Sequence, residues 1–93
     1  MIDPNKSIDL GGGRVLQPVV NNSNQVVGFI FKHPGCAKPD DHPPGGWVGL
    51  RPHETTRPSW QVEQEDPLTL SPSIHCRGCG DHGWIRNGAW VPA

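Results

Sequence analysis

Glycine and proline recur so often along this chain that no helix of ordinary length has room to form: 12 Gly and 11 Pro are spread through its 93 residues. Inside a helix Gly costs about 1 kcal/mol relative to Ala and Pro about 3 kcal/mol. Helical bundles and coiled coils are thereby excluded, leaving turn-rich β structure or disorder. Four Trp residues, with Val and Ile gathered in short runs, speak against disorder, because disordered chains lack the side chains whose burial offsets ordering entropy. Only 33% of the residues are apolar, so a single small domain with a thin core is expected, and such domains commonly need a staple. A net charge of −1 predicts no general attraction to nucleic acid or to an anionic membrane. The longest apolar run is too short to span a bilayer.

Strand signals follow one another along the chain. Residues 14–20 and 25–32 are rich in Val, Ile and Phe and flank Asn21-Asn22-Ser23-Asn24, so they read as a β-hairpin with Val19, Val20, Val26, Val27, Phe29 and Ile30 on its core face. Residues 33–44 hold four prolines and read as loop. Residues 45–50 and 59–64 are short strand candidates, and residues 68–70 resume an extended segment that Pro72 confines to an edge or bulge. The clearest local signal is Asn87-Gly88 between Gly83-Trp84-Ile85-Arg86 and Ala89-Trp90-Val91. Both central residues of a type I′ turn need positive φ, and these two tolerate it most cheaply. Residues 1–13 show no periodicity and end in Gly11-Gly12-Gly13, which reads as a hinge after an extended arm. The expected fold is therefore all-β: a zinc-ribbon-like antiparallel module, residues 14–93, preceded by an extended N-terminal arm, residues 1–13.

The staple is expected to be a structural zinc ion. His33-Pro34-Gly35-Cys36 and Cys76-Arg77-Gly78-Cys79 are alike: each separates two ligand side chains by two residues and places Gly just before the second. That is the spacing of a zinc knuckle, and two knuckles close a tetrahedron. His82 continues the second as Cys79-x-x-His82, so the candidate ligands are His33, Cys36, Cys76, Cys79 and His82, with the two histidines competing for one place. Three cysteines cannot all pair within the chain, and in a reducing compartment thiols at this spacing are metal ligands more often than disulfide partners. His42, His53 and His75 lack knuckle spacing.

Two further chemistries compare poorly with these residues. A zinc-dependent nucleobase deaminase needs His-x-Glu and a Pro before its Cys pair, whereas His53 and Glu54 are adjacent and His75 precedes Cys76. No nucleophile elbow, metalloprotease His-Glu-x-x-His or phosphate-binding glycine loop is present. Arg51, Arg57, Arg77 and Arg86 with Trp47, Trp60, Trp84 and Trp90 offer the elements of a nucleic-acid stacking platform. They are interleaved with Glu54, Glu63, Glu65, Asp66 and Asp81, so that reading is an alternative rather than the expectation.

The segments Phe31-Lys-His-Pro-Gly-Cys36, Leu68-Thr-Leu-Ser-Pro-Ser-Ile74 and Cys79-Gly-Asp-His82-Gly-Trp-Ile-Arg-Asn-Gly88, with Trp60 between the first two, together resemble a family of small phage and prophage proteins of unknown function. Some of its members carry the label ammonia monooxygenase, which these residues do not justify. The resemblance covers the C-terminal two thirds of the chain and implies Cys36, Cys79 and His82 as ligands. It departs from the family pattern at His33, where Cys is expected. The function expected on these grounds is non-enzymatic: a phage zinc-binding accessory protein that binds another protein, a virion component first and an inhibitor of a host defence or transcription protein second. A nucleic-acid-binding zinc module is the third reading. No membrane and no small-molecule substrate is expected, and the localisation expected is the host cytoplasm at synthesis, with the virion as a destination.

Overall fold

The computed structural model describes residues 2–33, 46–55, 58–76 and 80–93. It is all-β. Nine strands follow in chain order: β1 (Ile8–Gly11), β2 (Arg14–Val20), β3 (Val26–Lys32), β4 (Trp47–Leu50), β5 (Ser59–Glu65), β6 (Leu68–Ser71), β7 (Ile74–His75), β8 (His82–Arg86) and β9 (Ala89–Pro92). Strands β1 to β6 form one curled half-barrel sheet in sequence order, and β7, β8 and β9 form a second, three-stranded sheet. All-β architecture is thus as expected. A zinc-ribbon-like antiparallel module is not, because six strands wind into one sheet and β4 and β5 pair in parallel, Gly49 against Ser59 and Leu50 against Trp60. Among the described residues no helix is long and apolar enough to cross a membrane.

The β2–β3 hairpin forms where its β-branched residues predict, and β8–β9 turns through Asn87 at φ 51° and Gly88 at φ 75°, the left-handed conformation that Asn-Gly tolerates. The N-terminal segment differs from expectation. Ile8 and Asp9 pair with Leu16 and Val15, and Gly11, Gly12 and Gly13, all at positive φ, form the turn into β2 rather than a hinge. Leu10 is buried, and Ile2 and Ile8 pack against the core, so this segment is part of the larger sheet.

Leu10, Leu16, Phe29, Phe31, Val48, Leu50, Leu68, Leu70, Ile74 and Ile85 make one core between the two sheets. Strict alternation selects Leu16 on β2 and Phe29 and Phe31 on β3 as inward residues. Of the expected core face only Phe29 is fully buried, while Val20, beyond an irregularity in register after Val19, is 40% exposed. The smaller sheet closes the open side of the half-barrel, with β8 against β6 and β9 against β1. The join is hydrogen-bonded: Gly88 N–H donates to the Leu68 carbonyl at 2.8 Å, and Asn87 N–H donates to Thr69 Oγ1 at 3.0 Å.

Candidate active site

The chain passes from the last strand of the large sheet to the first strand of the small one through Pro72 and Ser73. In β7 and β8 the residues that face the core are Ile74, Gly83 and Ile85. Alternation therefore puts Ser73, His75, His82, Trp84 and Arg86 on the opposite, outer face. Antiparallel register sets His75 across from His82 and Ile74 across from Gly83, which leaves Ser73 one residue further along and diagonal to His82. Across that diagonal His82 Nε2 lies 2.9 Å from Ser73 Oγ. With its proton on Nδ1, the imidazole accepts the serine hydroxyl proton at Nε2, the arrangement in which a histidine activates a serine nucleophile.

Aromatic neighbours flank the imidazole. The His75 ring centroid lies 5.0 Å from that of His82, that of Trp84 lies 6.0 Å from it, and the Arg86 guanidinium sits 4.8 Å over the Trp84 ring. Ser73 is half-buried and His82 exposed, so the pair faces solvent along this strip.

Asp81, next to His82, directs its carboxylate elsewhere. Arg14 holds it bidentately, Nε to Oδ2 and Nη2 to Oδ1 at 2.9 Å each, and His33 Nδ1 lies 3.4 Å from Oδ2. The Arg14 hydrogen bonds hold the Asp81 carboxyl below its ordinary range; desolvation opposes them, and the charges of Arg14 and of protonated His33 add to the lowering. The Arg14 guanidinium also covers Trp90 at 5.0 Å, Trp90 stacks on Phe31 at 5.2 Å, and Phe31 stacks on His33 at 4.9 Å. These five side chains close a circuit between the two sheets.

Of the expected metal ligands, His33, Cys76 and His82 lie among the described residues. His33 follows the end of β3 and is half-buried, with its side chain only 3% exposed. Cys76 is buried after β7, its N–H donating to the Asp81 carbonyl at 2.7 Å. Asp81 therefore contacts both His33, through its carboxylate, and Cys76, through its carbonyl. Cys36 and Cys79 lie outside the described residues, as does His42. Among the described residues no group of three or more His, Cys, Asp or Glu is arranged to hold a metal ion. His82, a ligand candidate by spacing, has its Nε2 at Ser73 instead.

Among the described residues, those of the nucleic-acid alternative do not form one exposed platform. Trp60 and Trp90 pack against the core, Trp47 Nε1 donates to Glu54 at 2.8 Å, and Arg51 Nε donates to Ser59 Oγ at 2.8 Å. Arg57 and Arg77 lie outside the described residues.

Sequence reasoning missed Ser73. Its signal lay in Ser71-Pro72-Ser73-Ile74-His75, a segment noticed only for its resemblance, with His82 nine residues beyond Ser73. The nucleophile-elbow pattern does not cover it, because Ser73 and His82 meet across a strand pair rather than at a strand-to-helix turn.

A family model described as bacterial ubiquitination-like system serine protease (BubE) matches residues 18–93, a stretch that contains both Ser73 and His82. No curated protein and no solved structure matches the chain. The match replaces the phage and prophage family as the assignment. A serine protease family is a family of enzymes, so the match also overturns the expectation of a non-enzymatic zinc-binding accessory protein. With that go the virion component, the inhibitor of host proteins and the nucleic-acid-binding module.

Proposed function

The chain belongs to the family of bacterial ubiquitination-like system serine proteases (BubE), and from that premise we propose that Ser73 is its nucleophile and His82 its general base. The bonds it cleaves are amide bonds in proteins of the bacterial ubiquitination-like system. The observation that carries this reading is the 2.9 Å contact between Ser73 Oγ and His82 Nε2.

The steps follow from that contact. His82 Nε2 takes the hydroxyl proton as Ser73 Oγ attacks the scissile carbonyl carbon. The tetrahedral adduct collapses, the C–N bond breaks, and the imidazolium returns the proton to the leaving amine. An acyl ester remains on Ser73. A water molecule, deprotonated by His82, attacks the ester, and its collapse releases the carboxylic acid and restores the Ser73 hydroxyl. The neighbouring rings of His75 and Trp84 restrict the imidazole to orientations near Ser73, which is what proximity catalysis requires.

The test is covalent. A fluorophosphonate probe should form one adduct, located on Ser73 by peptide mass spectrometry, and Ser73→Ala should remove both the adduct and proteolysis of the system's proteins. An adduct on another serine, or activity retained in Ser73→Ala, overturns the assignment.

A structural zinc ion, held by His33, Cys36, Cys76 and Cys79, remains our proposal for the staple. Two observations support that ligand set over one containing His82: Nε2 of His82 is engaged by Ser73, and His33 lies 3.4 Å from Asp81, whose carbonyl accepts the Cys76 N–H.

A further inference from the structure

We propose that Arg14, acting through Asp81, is a positioning residue for the nucleophile and its base, so that the N-terminal hairpin is part of the working active site. The inference rests on the reading of Ser73 and His82 given above. It goes beyond the family match, which begins at residue 18, after Arg14.

Strand β7 is only two residues long. The ladder that sets His82 against Ser73 therefore consists of the pairs Ile74 with Gly83 and His75 with His82, extended by the bonds from Cys76 N–H to the Asp81 carbonyl and from Gly80 N–H to the Cys76 carbonyl, 2.7 Å each. So short a ladder is a weak determinant of position by itself. Asp81 immediately precedes β8, its carbonyl accepts the Cys76 N–H, and its side chain reaches Arg14 and His33, away from the face that carries His82. A bidentate grip on that carboxylate fixes the backbone from behind while leaving the imidazole free to work.

Arg14 suits this task. Its guanidinium is fixed in one direction by the carboxylate and in another by the face of Trp90. Trp90 is braced by Phe31, Phe31 by His33, and His33 returns to Asp81. The circuit ties the residue before β8 to β2 and to the end of β3 in the large sheet. Lys in place of Arg supplies the charge but neither the two-pronged hydrogen bond nor the stacking. A displacement of about 1 Å at a catalytic pair costs on the order of 100-fold in rate, so loss of the clamp should appear in the bond-making step.

The experiment measures inactivation of the full chain by a fluorophosphonate, separating the binding constant KI from the limiting rate kinact. Wild type, Arg14→Ala, Arg14→Lys, Asp81→Asn and the Arg14→Ala/Asp81→Asn double variant are compared well below their melting temperatures. We expect kinact to fall by about 10- to 100-fold in Arg14→Ala and in Asp81→Asn, with KI within about twofold of wild type. The double variant should be no slower than the slower single, because both remove one clamp, and Arg14→Lys should recover part of the rate. If Arg14→Ala does not fold, Arg14→Lys and Asp81→Asn carry the same comparison. A folded Arg14→Ala or Asp81→Asn with wild-type kinact, or losses that multiply in the double variant, overturns the clamp while leaving the nucleophile standing. A wild-type chain that Ser73→Ala does not protect from the probe overturns both.

Discussion

Ser73 and His82 show how a single contact can change the meaning of a residue. His82 was recognised as a chemistry-bearing side chain from its spacing to Cys79, but spacing along the chain cannot say which atom its ring nitrogen meets. Register decides that, and it sets Ser73 Oγ at 2.9 Å. Replacing His82 by Gln should lower the rate of acylation by about 100- to 10,000-fold, measured as the burst of a chromogenic ester, while the melting temperature stays near that of wild type because the side chain is exposed. An unchanged burst would remove His82 as the base. In the core, Phe29 and Leu16 are both fully buried. Phe29→Ala should therefore cost about 3–5 kcal/mol, read from urea denaturation, which is a large part of the 5–15 kcal/mol typical of a domain. Val20→Ala, at an exposed position, should cost far less. The sequence offered both residues as hydrophobic members of one hairpin; the twofold alternation and the register shift after Val19 separate them.

Among the elements, those with strong local chemistry were legible beforehand. The β2–β3 and β8–β9 hairpins, and strands β4, β5 and β6, lie where β-branched and aromatic runs are bounded by turn residues. Strand β1 was not legible, since Ile-Asp-Leu-Gly is too short to show a period and borrows its stability from pairing with β2. The parallel pairing of β4 with β5 was equally hidden, because strand signals carry no direction. Gly28 on β3 records how closely these elements approach. A Cβ there would collide with the Trp47 ring of β4 and lie 2.7 Å from the Val48 carbonyl oxygen. Gly28→Ala should therefore destabilise the chain by about 1–3 kcal/mol and change the near-ultraviolet circular dichroism of Trp47. A melting temperature equal to that of wild type would show that the two strands separate freely.

At the level of the whole molecule, two sheets that are each open on one side close over one thin core, and Arg14 reaches a residue 67 positions away in doing so. The zinc ion proposed above would add to the same closure. Metal analysis of the purified chain should find about one zinc per molecule in a closed four-ligand site. Chelation under denaturing pressure should lower the melting temperature sharply, since a structural ion contributes on the order of 10 kcal/mol to folding in small peptides. A metal-free chain with an unchanged melting curve would show that the core and the clamp suffice. By itself the sequence determined that this chain folds into strands and where the β2–β3 and β8–β9 turns fall, because those properties belong to residues and their near neighbours. The tertiary structure alone decided that Ser73 and His82 form a pair, that Asp81 serves Arg14 rather than His82, and that the first strand belongs to the sheet. Each of these depends on which strands lie side by side and in what register, and a residue's own chemistry does not encode its partner across a sheet.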